Sequence, residues 1–175
     1  MQNRDEIFDV VDEHDRVIGQ APRSEVHSRR LRHRAVHVLI FNSRHELLVQ
    51  KRSATKDKFP GCYDSSASGH VDSGEDYPAC ARRELREELG LSLPATAFQP
   101  QFKLDACADT GQEFVWVYTV HGDYAVTPNP DELDSVTPMT RAQIDDLIAN
   151  RPQSGARSFC RIMREVIERG LFPAG

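Results

Sequence analysis

Residues 69–91, GHVDSGEDYPACARRELREELGL, constrain the fold of this chain more than any other stretch. Asp76 suits an N-cap, Pro78 suits a first helical turn, and Gly90 suits the position just past a helix end. Between them Ala81, Leu85 and Leu89 recur every four residues, which predicts a helix with one apolar stripe against a core. Glu84, Glu87 and Glu88 then fall three and four apart and share a face. Like charges at that spacing repel by roughly a few tenths of a kcal/mol per pair. Helices rich in Glu and Arg are ordinarily solvated surfaces, and Arg83 with Glu87 is an ordinary i,i+4 pair. The three carboxylates therefore need either open water or a counter-ion.

The rest of the chain mixes strand and helix patterns without βαβ alternation. IFDVV (7–11) and RVIGQ (16–20) read as short strands around an acidic turn. AVHVLIF (35–41) is almost wholly apolar and fits a strand buried on both faces, with ELLVQKR (46–52) as its antiparallel partner across the turn NSRH. A polar loop follows and feeds a short strand before Gly69. AFQPQFKLDA and EFVWVYTV (113–120) read as two further strands. Thr140 and Gln143 form a capping box that opens a helix, and Phe159, Ile162, Met163, Val166 and Ile167 keep helical spacing up to a stop at Gly170. The expectation is mixed α/β (α+β) in one domain over 1–175, with a short N-terminal strand region at about 5–30.

Bulk properties exclude several classes. Among 175 residues, 39% are hydrophobic and 28% charged, an ordinary globular balance. No apolar run approaches the roughly 18 residues needed to span a bilayer, and the polar N-terminus carries no signal-peptide pattern. The expected setting is the cytoplasm, with no membrane partner. A formal net charge of −5 speaks against nucleic-acid polymers as partners. Cys62, Cys80, Cys107 and Cys160 stand singly and read as small core residues. One local run is basic, from Arg23 to Arg34, and offers either a solvated face or a dock for an anionic small molecule. With the N-terminal strands it also leaves a homodimer interface open.

The flanks of the acidic helix decide how it is read. Gly69, Glu75, Arg83-Glu84-Leu85, Glu87-Glu88 and Gly90-Leu91 obey the spacing G-x5-E-x7-R-E-U-x-E-E-x-G-U, with U aliphatic. At a background of roughly one in fifteen per fixed residue, a chance match in this length is on the order of one in ten million. The stretch is identified as a Nudix box, so the chain resembles a Nudix hydrolase. That resemblance implies an α/β/α sandwich around a mixed sheet. It also implies a hydrolase acting on acid anhydrides, in which Mg²⁺ (or Mn²⁺) sits on a hard oxygen cluster and water attacks phosphorus. By the resemblance the metal ligands are Glu84 and Glu88, with Glu87 contributing and the Gly69 carbonyl completing the shell, while Glu75 and Arg83 tie loop to helix. The implied substrate is a small molecule with a diphosphate linkage, nucleoside-linked or related.

A finer resemblance lies outside the box. HRAVHVLIFNSRHELLVQKRSATKDKFPGCYDSSASGHV, from His33, is similar to the branch holding type I isopentenyl-diphosphate isomerases. It implies diphosphate contacts from Arg52 and Lys56, a second metal site at His33, His70 and Glu113, and an acid role for Glu113. His27 lies near a further ligand position, offset by about one residue. The isomerase cysteine is replaced by Ser68, a poor proton-transfer group for an allylic carbon, and Gly111 stands where another acid is expected. These departures favour hydrolysis, with isomerisation of a prenyl diphosphate and a non-catalytic ligand sensor as the alternatives. Glu132 is a candidate loop base. Lone histidines such as His37 and His45 read as core or surface residues, and Trp116 as packing.

Overall fold

A computed structural model describes residues 6–173; residue 5, where the expected N-terminal region begins, lies outside them. Strands β1 (Ile7–Val11) and β2 (Val17–Pro22) form an antiparallel hairpin. A short helix α1 (Arg23–Ser28) follows, then β3 (His33–Phe41), β4 (Leu47–Arg52), β5 (Tyr63–Asp64) and β6 (Ala67–His70). Helix α2 (Tyr77–Leu89) leads to β7 (Gln99–Leu104), β8 (Glu113–His121) and β9 (Leu133–Met139), and the chain closes with α3 (Arg141–Asn150) and α4 (Arg157–Glu168).

Strand β3 is the spine of a mixed seven-stranded sheet, as its apolar run requires. It pairs in parallel with β8 over nine residues, from His33 beside Glu113 to Phe41 beside His121. Side chains alternate across it. Ala35, Leu39 and Phe41 meet α3 and α4 on one face, and Val36, Val38 and Ile40 meet α2 on the other. The result is an α/β/α sandwich.

Strand β4 is β3's partner only at the hairpin root, where Phe41 faces Leu47. Beyond it the two strands part, and β6 takes the vacated edge from Ala35–His70 to Val38–Ala67. Ser66 holds the fork open: its hydroxyl accepts from the Ile40 N–H at 2.8 Å and donates to the Leu48 carbonyl. Strand β4 turns instead to β5 and β9. The sequence reading missed α1 and β9. Strand β9 pairs only with β4 and carries Pro138, which an edge strand tolerates. Of the four cysteines, Cys80 and Cys160 are buried and Cys62 and Cys107 only partly so, which corrects their reading as core residues.

The N-terminal hairpin is fastened by Asp15. Its carboxylate accepts from Arg34 Nε at 2.6 Å and from the Tyr77 hydroxyl at 2.9 Å, and it also pairs with Lys103. Burial works against ionising this carboxyl, but hydrogen bonds from Lys103, Arg34 and Tyr77 outweigh it and hold its pKa below the ordinary value.

Candidate active site

Helix α2 forms as its local signals dictate. The Asp76 carboxylate caps the Ala79 N–H at 2.7 Å, Pro78 lies in the first turn, and Gly90 ends the helix at φ +68°. Cys80, Ala81, Leu85 and Leu89 are buried against the sheet. Packing that stripe leaves the glutamates at the edge of β6. Glu88 is 3% exposed and accepts from the Ser68 N–H at 3.0 Å and Gln50 Nε2 at 3.2 Å. Glu84 lies so close to Gly69 that a Cβ there would overlap its carboxyl group. Glu87 is half exposed. Arg83 grips Glu75 with two bonds of 3.0 and 2.8 Å, donates to the His70 carbonyl at 2.9 Å, and reaches Glu84 at 2.7 Å.

Burial first, and Glu88 second, push the Glu84 carboxyl up to about 8. Burial pushes Glu88 up to about 7, against the opposing pull of the Ser68 N–H and the Lys56 charge. Two neighbouring carboxylates in this condition, Glu88 buried and Glu84 partly so, are a set of hard oxygen donors short of positive charge, which is what Mg²⁺ or Mn²⁺ supplies. Gln50 Oε1, whose amide nitrogen donates to Glu88, is a further buried oxygen without a partner among the described residues.

These groups open onto a cavity of about 560 Å³. Gly69, Arg83, Glu84, Glu87, Glu88, Glu113, Glu132, Arg52, Lys56 and His70 all line it, so nearly every residue singled out from the sequence converges there. Glu75 and His33 are set behind its wall. Arg52 is engaged by Asp64 at 3.1 Å and by the Lys58 carbonyl, and Lys56 by Glu132. Among the lining residues that sequence reasoning did not assign to the site are Arg23, Lys58, His37 and Asp64. The basic run was the only signal for Arg23. Its other arginines point elsewhere, Arg34 to Asp15 and Arg29 to Glu25. Trp116 packs near Tyr77 and Tyr118, away from the cavity.

At and behind the His70 wall three histidines meet rather than two. Helix α1 carries His27 to His33 and His70, and ring nitrogens of the three lie within 4.8 Å of one another. The turn between α1 and β3 passes through Arg30 at φ +54°. His33 Nδ1 donates to the Leu31 carbonyl at 2.9 Å, leaving a lone pair on Nε2. His27 Nδ1 accepts from Lys58 Nζ at 2.9 Å, and His70 Nδ1 accepts from Arg23 at 3.3 Å. Glu113 stands 3.2 Å from His70 Nε2 and 3.5 Å from His33 Nε2. The Nε2 atoms of His27 and His33 are buried without hydrogen-bond partners among the described residues. Burial pushes His27 down to about 3 and His70 down to about 4. Burial also opposes ionising Glu113, but the His33 and His70 rings beside it hold its carboxyl well below the usual range. The neutral imidazoles of His27 and His70 beside an ionised carboxylate are metal-ligand chemistry.

A sequence profile of the NUDIX domain matches residues 31–160. The chain belongs to the Nudix family. An uncharacterized Nudix hydrolase of Streptomyces coelicolor is 42% identical to it over 137 residues, which are 76% of this chain and 74% of that protein. The crystal structure of DR0079 from Deinococcus radiodurans superposes on this Nudix chain with a TM-score of 0.80 at 28% identity, covering 91% of this chain and 98% of the other. A bifunctional NMN adenylyltransferase/ADP ribose pyrophosphatase from Francisella tularensis, complexed with AMP and an Mn ion, shares the fold alone. Its TM-score is 0.62 at 14% identity, over 77% of this chain and 41% of that one. Among the described residues, no helix is long and apolar enough to cross a membrane.

Proposed function

We propose that this Nudix protein is a Mg²⁺- or Mn²⁺-dependent hydrolase of a diphosphate linkage in a polar small molecule. The observation that carries the reading is the placement of Glu84 and Glu88, both driven toward protonation, on a cavity that is also lined by Arg23, Lys56 and Lys58. A divalent ion held by Glu84, Glu88, Glu87 and the Gly69 carbonyl would supply Lewis acidity and charge neutralisation at phosphorus for attack by water. Arg83 keeps Glu84 on the cavity side of α2 and, through Glu75, keeps the Gly69 loop against the helix. Arg23 and Lys58 present positive charge to the phosphates, and Arg52 backs them from its tie to Asp64. Glu132 is offset by Lys56 and serves better as a rim residue than as a base. Glu113, held ionised, serves better as a ligand beside the histidines than as a proton donor.

Within the family we place the chain beside the isomerase-like branch yet read it as a hydrolase. Ser68 lacks the thiol, and Ala35 and Phe59 are the apolar side chains on the described wall of the cavity, too few to hold a prenyl group. A second reading is favoured by the unpaired Nε2 atoms: His27, His33, His70 and Glu113 bind a second metal ion. We keep the cytoplasm as the setting, supported by four cysteines that all stand as free thiols.

The test is a panel of nucleoside diphosphates and triphosphates, sugar nucleotides, dinucleotides, coenzyme A and prenyl diphosphates, offered with Mg²⁺ or Mn²⁺. Metal-dependent cleavage of a phosphoanhydride, cut on the order of 100-fold by Glu88→Gln, is expected. Conversion of isopentenyl to dimethylallyl diphosphate without phosphate release would establish the isomerase instead. Tight binding without turnover under either metal would establish a sensor.

A further inference from the structure

His37 is a buried, titratable group on the cavity wall that the reaction just outlined does not use. It sits in β3 between Val36 and Val38, which face α2, so its own side chain emerges on the other face of the sheet beside Ala35 and across from Ser68. It is 4% exposed, and that small exposure faces the cavity.

Its ring is fixed from behind. Nδ1 lies 2.7 Å from the Ser65 hydroxyl and 3.7 Å from Asp64 Oδ1. Asp64 is itself locked, accepting from the Ser65 N–H at 2.8 Å and from Arg52 at 3.1 Å. Burial pushes the imidazole pKa down, more strongly than Asp64 and Glu113 push it up, so the ring is neutral. The Asp64 carboxylate favours the ring proton on Nδ1, which places a lone pair on Nε2. Among the described residues Nε2 makes no hydrogen bond, and unlike the Nε2 atoms of His27 and His33 it is not closed off from solvent. A fixed acceptor therefore points into the cavity.

An acceptor cannot hydrogen-bond the oxygens of a metal-bound diphosphate, which are themselves acceptors. It needs an O–H or N–H. We propose that His37 is a specificity residue that reads the non-phosphate part of the substrate, its Nε2 accepting a hydrogen bond from a hydroxyl or N–H donor there. The inference rests on the cavity being the diphosphate site. It adds that the attached group is a donor-bearing one, held on the sheet between β3 and β6.

The experiment follows ¹⁵N resonances of the histidine rings in full-length protein with Mg²⁺. Three non-hydrolysable probes are added in turn: methylenediphosphonate, α,β-methylene-ADP and α,β-methylene-ADP-ribose. In the free protein the His37 proton is expected on Nδ1. Methylenediphosphonate should leave Nε2 unmoved, and at least one nucleoside probe should shift it. His37→Phe should weaken that probe about tenfold, the size expected for one lost hydrogen bond to a substrate group, and leave methylenediphosphonate unchanged. His37→Gln, which restores an acceptor near the Nε2 position, should recover most of the loss. A proton on Nε2, an equal shift with methylenediphosphonate, or no shift with any probe would overturn the proposal. Binding is read without turnover, so a lack of hydrolysis would remove the hydrolase reading while leaving this result legible.

Discussion

Single side chains set the chemistry of this cavity, and Gly69 shows how narrowly. Its missing Cβ is what admits the Glu84 carboxyl to the backbone of β6. Gly69→Ala should keep the fold but displace Glu84, lowering Mg²⁺ affinity by about 10–100-fold, the usual penalty for disturbing what supports a metal ligand. Calorimetric titration with Mg²⁺ checks it, and wild-type affinity would mean that Glu84 is not a ligand. Glu88 differs in kind, since its pocket of Ser68 N–H and Gln50 amide persists in Glu88→Gln. That variant should therefore lose rate without losing structure. His37 carries the opposite lesson. As a lone histidine in an apolar run it reads as core, and the residues that turn it toward a ligand, Asp64 and Ser65, lie 27 and 28 positions further on.

At the scale of elements, two joints hold the site. Arg83 ties α2 to the loop after β6 through Glu75 and the His70 carbonyl. Arg83→Met takes the cation from Glu75, leaving it the Asp72 N–H, and leaves that carbonyl only the Cys80 thiol, and should cost about 1–3 kcal/mol in urea unfolding. Arg83→Lys should recover only part of this, because an ammonium cannot reproduce the two-pronged grip. Asp15 is the second joint, tying the β1–β2 hairpin to Arg34, Tyr77 and Lys103. Its folded pKa lies below the unfolded value, so its stabilisation is full above the ordinary carboxylate pKa of about 4 and fades as pH falls through the lower folded value. Hydrogen exchange in residues 7–22 should therefore speed up below pH 4 in the wild type. In Asp15→Asn the hairpin should exchange fast already at pH 7, and an unchanged pH profile in that variant would show that Asp15 does not fasten it.

For the whole molecule, the acidic helix is a local conflict that the rest of the described fold relieves only in part, through Arg83 and Lys56. Metal-free protein should be stabilised by Glu84→Gln, since a neutral amide removes one of two repelling carboxyls. A gain of about 1 kcal/mol corresponds to roughly 2–4 °C in melting temperature at this size. Added Mg²⁺ at 100 times its dissociation constant should stabilise the wild type by about 2.7 kcal/mol and the Gln variant far less. Thermal melts with and without Mg²⁺ decide both. Much of this was written locally. The periodicity of Ala81, Leu85 and Leu89, the Asp76 cap, the Gly90 stop and the Thr140–Gln143 box each act within a few residues, so the sequence alone determined α2, α3 and the face on which the glutamates fall. The long apolar run of β3 likewise marked a strand buried on both sides. Partners at long range were another matter. Nothing within β3 states that β8 will lie parallel to it or that Ser66 will split it from β4, because strand pairing is settled by which distant surfaces bury the most apolar area together. The same packing turned α1 inward, bringing His27 to two histidines and Arg23 to the cavity, and set Asp64 behind His37. The chain thus fixed its acidic helix by itself, while the cations, the third histidine and the reading of the substrate's other end were decided by tertiary structure, through contacts that no local pattern encodes.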